Sequence, residues 1–243
     1  MTYKTKGIVL RSIKYGETSL VVSIFTELFG VQTYMVNGVR SAKSKTSKAN
    51  YFVPAAMLDL VVYHHEQKNM QRIKEFGWAV IYQSVLGDVI KNSIALYLVE
   101  LLHKCLKQPE QHTDLYLFCE EVLLQLDEST AKAAANYPLF FALHLPQFLG
   151  FRMQDNYSAN CAVLDLQEGC FTQNAPAHTH YLENEAAEIT SQILKTMHPA
   201  ELENAALSQQ SRRMLLQHYH TYYALHIAEF GTIKTMAVLQ EVL

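Results

Sequence analysis

The chain has 243 residues, 49% of them hydrophobic and 18% charged, with a formal net charge of −3. That is the profile of a globular protein large enough for one large or two smaller cores, and it excludes a disordered chain or a collagen-like fibre. No uncharged apolar run reaches the ~20 residues that span a bilayer, and the N-terminus lacks a signal-peptide pattern, so a cytoplasmic protein without a membrane anchor is expected.

Residues 1–76 read as short strands. Gly7–Ile13 is rich in β-branched residues and ends at the turn signal Tyr15-Gly16-Glu17. Ser19–Phe25 is a second apolar run, and Val31–Val36 alternates with period two before stopping at Asn37-Gly38. A fourth strand is predicted over Ala55–Tyr63 and a fifth over Met70–Phe76, with Gln67-Lys68-Asn69 as the turn. Five strands in so short a segment predict a small closed or nearly closed barrel, because a twisted sheet must cover its edges. Between the third and fourth strands, residues 40–50 carry Arg40, Lys43, Lys45 and Lys48 with no acid and no apolar anchor. This stretch is expected to be a mobile basic loop that orders on a partner.

From about Ala79 the pattern turns helical. Apolar residues from Trp78 to Leu106 follow helix spacing, and Pro109 ends the run. Thr113-Asp114 is a cap for a second helix to about Leu126, and Ser129-Thr130 for a third. The apolar stretch Tyr137–Leu143 is expected at the centre of a second core. Residues 152–181 are irregular, with a short hairpin in CAVLDLQEGCF. Helices are predicted at Glu183–Met197, Pro199–Ala206 and Ser208–Ile227, with a short one from Thr232.

Charge is divided unevenly. Residues 1–80 hold eleven Lys/Arg against five Asp/Glu, a surplus of +6, which leaves nine against eighteen, or −9, for the remainder. A basic strand-rich head points to a polyanion, with cations that neutralise phosphates and aromatic rings on which bases stack. Lys4, Lys6, Arg11, Lys14, Arg40, Lys43, Lys45 and Lys48 supply the charge, with Tyr3, Tyr15, Phe29, Tyr34 and Tyr51 interleaved. The competing reading is a solvated basic surface around core aromatics.

Two other clusters carry weaker signals. Cys161, Cys170, His178 and His180 fall within twenty residues, but the cysteines are nine apart, whereas structural zinc sites use ligands paired two to four residues apart. Free thiols and surface histidines, with no metal, are expected. His218, Tyr222 and His226 share a helical face, yet no phosphate loop, nucleophile elbow or carboxylate pair accompanies them. Packing is the favoured reading over hydrolysis. Arg212-Arg213 fits binding of an acidic peptide or a phosphate, and a solvated turn equally well.

The ordered set Gly7-Ile8-Val9-Leu10-Arg11, Tyr15-Gly16-Glu17, Phe25-Thr26, Gly30, Gly38 and Arg40 resembles the amino-terminal region of the bacterial RecO recombination mediators. Leu149-Gly150-Phe151 and the segment from Arg212 to Leu243 are similar to later parts of that family. The resemblance implies an α+β protein, a five-stranded OB-fold barrel over 1–78 followed by a mainly helical domain over 79–243. It implies a non-enzymatic role in recombinational repair by the RecF pathway. Such proteins bind single- and double-stranded DNA, anneal complementary strands, and act with RecR to help RecA replace the single-strand-binding protein. Arg40, Lys43, Lys45 and Lys48 are the implied DNA contacts, with Arg11 and Lys14 as weaker ones and Arg212 and Arg213 facing a partner. No cofactor is expected. Two departures stand out: the paired cysteines that hold zinc in many members are missing, the irregular stretch 152–181 standing in their place. Asn37 stands where lysine is usual. The alternative is a protein-interaction scaffold whose acidic helical body docks repair partners.

Overall fold

The computed structural model describes residues 1–40, 48–205 and 207–242. Lys43 and Lys45, expected to contact DNA, lie outside the described residues. Contacts within the chain gather into two compact units, 1–83 with 99–124, and 84–98 with 125–243.

The first unit is built on five strands, β1 (Thr2–Tyr15), β2 (Ser19–Thr26), β3 (Gly30–Val36), β4 (Met57–Tyr63) and β5 (Gln71–Trp78). They close into a barrel in the order β1-β2-β3-β5-β4, and the contact between β3 and β5 is parallel. This is the expected OB-fold. Closure depends on the length of β1, whose first half pairs with β4 and whose second half pairs with β2. Gly7 sits where both pairings overlap. A Cβ there would stand 2.5 Å from Ile24 Cγ2, so the strands cross this closely only over a glycine. The alternating residues Leu20, Val22 and Ile24 of β2, Tyr34 and Val36 of β3, and Leu58, Leu60 and Val62 of β4 fill the interior. On the outer side, Phe25 is fully buried against Tyr116 of a helix, the ring centroids 5.6 Å apart.

Helical structure begins later than the sequence spacing predicts. β5 runs through Trp78, and the first helix, α1, spans Val89–Cys105. The apolar residues from Val80 to Leu86 mimic a helical stripe, but Ile81 is 80% exposed and Gly87-Asp88 interrupts the run. Asp88 then caps the helix, its Oδ1 accepting the Lys91 backbone N–H at 2.8 Å. The helix α2 (Thr113–Glu128) follows as expected.

In the second unit, Thr130 caps the short α3 (Ala131–Ala134), accepting from Ala133 N. A new helix, α4 (Tyr137–His144), starts with Pro138 in its first turn, and every residue from Tyr137 to Leu143 is buried. The break between the two helices is fixed by Asn136, only 1% exposed, whose Nδ2 donates to the carbonyls of Leu202 and Ala205 at 3.1 and 3.0 Å. The hairpin read from CAVLDLQEGCF is present as β6 (Val163–Asp165) and β7 (Cys170–Thr172), with β8 (Tyr181–Leu182) on the other side of β6. The chain ends with α5 (Asn184–Lys195), a 3₁₀ turn at Pro199–Asn204, α6 (Gln209–His226) and α7 (Met236–Val242). Two expected helices thus change. The Pro199 segment tightens into a 3₁₀ turn held by the Glu201 carboxylate on His198 N–H at 3.0 Å. The last helix starts only after Thr235, whose carbonyl accepts from Leu239 N. Among the described residues no helix is long and apolar enough to cross a membrane.

Candidate nucleic-acid interface

Three segments converge at one end of the barrel. The β1–β2 turn passes through Gly16 at φ +55°, and the segment after β3 passes through Gly38 at φ +71°, conformations that cost a side-chain-bearing residue about 1–2 kcal/mol. Arg40 joins the two, its backbone N–H donating to Thr18 O at 3.0 Å and its Nη1 to Gly16 O at 3.2 Å. The Ala49 N–H then donates to Val39 O at 3.1 Å, which brings in the 3₁₀ turn at Lys48–Phe52. Lys14, Arg40 and Lys48 therefore share one end of the barrel. Asn37 has a structural task here, its Oδ1 accepting from Ser19 Oγ at 3.1 Å.

Arg11 does not join them. It pairs with Ser23, which in turn pairs with Thr33, so these three side chains share an outer face of the sheet. Lys14 pairs with the interior residue Leu20 and thus projects from the opposite side of β1. Lys4 and Lys6 lie elsewhere again, beside Asp59, Glu27 and Glu75 in a cavity on the β1–β4–β5 surface. Lys6 is held to Glu120 at 2.9 Å, and that hydrogen bond raises its pKa. The positive charge of the head is therefore concentrated by position and partly neutralised on one face.

The aromatic residues divide likewise. Tyr15 is 59% exposed beside Gly16 at the turn. Tyr51, three residues after Lys48, stacks on Trp78 with centroids 4.6 Å apart and an interplanar angle of 23°. Trp78 escapes sequence reasoning because the apolar run that follows disguises it as the start of a helix. Its signal was the period-two pattern of β5, extended by two residues. Tyr34 is fully buried in the barrel and its phenol is pushed up by desolvation, so it packs the core and offers no face to a base.

In the second unit, Arg212 and Arg213 lie at the start of α6 and are half-buried. Arg212 Nη1 donates to Leu207 O at 2.6 Å, and Arg213 Nη2 donates to Gln240 O. The His/Tyr face of α6 is packed into the core. Tyr219 hydroxyl meets Thr190 Oγ1 at 2.9 Å, Tyr223 donates to Ala142 O at 2.9 Å, and Tyr222 donates to Phe151 O. His220 bonds Tyr97 at 2.8 Å, and His226 stacks on Phe151. This is the packing role the sequence favours over hydrolysis.

Zinc does not fit the donors around β6 and β7. His178 Nε2 faces the Asp165 carboxylate at 3.3 Å, and the same Asp165 oxygen accepts from Gln167 N. Burial, and then Asp165, pushes the Cys170 thiol up. Among the described residues no three His, Cys, Asp or Glu side chains gather as a metal would need.

Comparison with known proteins adds to this geometry. Residues 1–82 match the family model described as the N-terminal domain of recombination protein O, and residues 86–234 match its C-terminal domain. The chain is 31% identical over 242 residues to a DNA repair protein RecO of Azobacteroides pseudotrichonymphae genomovar. CFP2, covering 100% of this chain and 99% of that one. It is 31% identical over 242 residues to that of Christiangramia forsetii, with 100% and 99% covered, and 30% identical over 242 residues to that of Phocaeicola vulgatus, with 99% of each covered. With both domain models matched in order, and full-length relatives at this identity, the chain belongs to the RecO family of recombination proteins.

Proposed function

We propose that this chain is a DNA-binding recombination mediator in which the barrel end carrying Lys14, Arg40 and Lys48 grips the phosphate backbone. Family membership supports a role in DNA repair and recombination. The observation that carries the finer reading is the convergence of those three cations on one end, fixed by the Arg40 bonds to Gly16 and Thr18. Lys43 and Lys45, which lie between Arg40 and Lys48 in the sequence, belong to the same proposal, with the exposed Tyr15 beside Gly16 and Tyr51, three residues after Lys48, as faces for bases. Neutralising phosphates there would lower the repulsion between complementary strands and so favour annealing. In this reading the protein binds single and double strands in the cytoplasm without altering them chemically. It acts with RecR to help RecA displace the single-strand-binding protein, and the second unit, with Arg212 and Arg213, supplies protein contacts.

The test is the salt dependence of single-strand affinity for wild type and for the triple variant Lys14→Ala/Arg40→Ala/Lys48→Ala. Three lost phosphate contacts flatten the log–log slope by about 2, at ~0.7 per contact. An unchanged slope removes this end of the barrel from the interface.

A further inference from the structure

The helix α2 carries more apolar surface than its own packing uses. Leu115, Tyr116, Cys119, Val122 and Leu123 form its buried side. One such stripe is what a surface helix needs. Leu117 and Leu124 nevertheless stand on the solvent side, 48% and 37% exposed and one heptad apart. Glu120 and Glu121 lie between them, so the four residues occupy positions i, i+3, i+4 and i+7. Those are the corners of the hole into which a facing helix sets a side-chain knob.

Single exposed leucines are ordinary on a protein surface, and it is charge that sets this pair apart. α2 has five Asp/Glu residues and no Lys, Arg or His among its 16 positions. Glu120 is held by Lys6 at 2.9 Å, which fixes one side of the hole. The Lys6 pKa is raised first by that bond and then, against burial, by the nearby Glu27 and Asp59, so further acids surround the pair. Asp114 and Glu121 carry the same sign along the exposed ridge.

We propose that the Leu117–Leu124 ridge is a docking site for a basic amphipathic helix of a partner protein, one presenting arginine or lysine beside apolar residues at heptad spacing. The aliphatic stem of such a cation lies between the two leucines while its charged head reaches the glutamates. Leucine ends and carboxylate sides select this chemistry together. An acidic helix is repelled, and a purely apolar one buries the carboxylates without a partner. A second copy of this chain does not supply the occupant, because no described helix places two Lys or Arg residues three, four or seven positions apart. The inference is independent of the nucleic-acid reading, since a surface of this sign repels phosphates.

The experiment uses the full chain and a fluorescein-labelled helical peptide of about three heptads, with leucine at the a and d positions and arginine at e and g. A peptide of the same composition with its leucines scattered around the helix is the control. Wild type should bind the amphipathic peptide saturably in anisotropy titrations, with the methyl NMR signals of Leu117 and Leu124 shifting as it binds. Leu117→Gln/Leu124→Gln keeps helix propensity and should weaken binding roughly tenfold while leaving Tm and DNA affinity as in wild type. Glu121→Arg should weaken the arginine peptide and strengthen a counterpart with glutamate at e and g. If wild type binds neither peptide, if the scattered control binds as tightly, or if the leucine variant binds like wild type, the ridge is not a docking site. If sedimentation shows that wild type self-associates and the leucine variant does not, the occupant is a second copy and the proposal is overturned.

Discussion

Replacing Gly30 by alanine tests the most exacting contact of the first unit. Two costs combine there. The residue has φ +61°, which an L side chain adopts at about 1–2 kcal/mol. The new methyl would also stand 1.9 Å from Glu110 O and 2.7 Å from its carbonyl carbon, so backbone must move, and overpacking of this kind costs about 1–3 kcal/mol. The sum is roughly 2–5 kcal/mol, or some 5–15 °C in Tm for a chain of this size. Gly16→Ala and Gly38→Ala are internal controls, since both residues have positive φ but nothing within 4 Å of the added Cβ. They should incur only the conformational cost of about 1–2 kcal/mol. Urea unfolding of the three variants separates the packing cost from the backbone cost by subtraction. Should Gly30→Ala prove no less stable than the two controls, the close seating of the Glu110 segment on β3 would be refuted.

Asp127→Ala should destabilise the second unit by about 2–4 kcal/mol in a denaturant titration, because one carboxylate oxygen accepts from Ser84 N and Val85 N at 2.8 Å each, and the variant leaves both peptide groups without that acceptor. Asp127→Asn keeps an acceptor oxygen and should lose less; equal losses would show that charge rather than hydrogen bonding holds the segment. Stability should also fall in mild acid. Burial lowers the pKa of His64, His103, His144 and His218, so the unfolded chain takes up protons first as pH drops below the ordinary value of about 6.5. The stabilisation is complete above that value and is lost as pH falls through the depressed native values. Unfolding free energies between pH 7.5 and 5 check this, and His144→Gln should reduce the slope by up to one proton; a stability that rises toward pH 5 would contradict it.

The barrel was readable in advance because its strands alternate: Leu20, Val22 and Ile24 point inward, while turn residues mark each end. The helix starts ten residues later than apolar spacing predicts, because spacing alone does not register a cap, and Asp88 only becomes a cap once Lys91 offers it an N–H. The α6 tyrosines read as a packing face, but their partners, Thr190 and Ala142, are distant in sequence and only the fold supplies them. The same limit applies to β3, the β4–β5 turn and the end of α1, which come together beside His103. Only tertiary contact joins them.

The case of Arg11 shows how one residue of register decides a functional assignment. Residues 11 and 14 are an odd number apart, so a regular strand already places them on opposite faces, although their charge is the same. Periodicity nevertheless assigns Arg11 to the wrong side. Val9 points into the barrel opposite Ile24, and a residue two further on should do the same. The register instead shifts between Val9 and Arg11, with Leu10 as the extra residue, and Arg11 emerges on the outer face beside Ser23. The bulge that lets β1 bend from β4 to β2 and close the barrel is thus also what keeps a guanidinium out of the core and sets it on the outer face of the sheet. Closure of the fold and delivery of this cation are a single structural event, which is why neither charge counting nor periodicity alone could locate it.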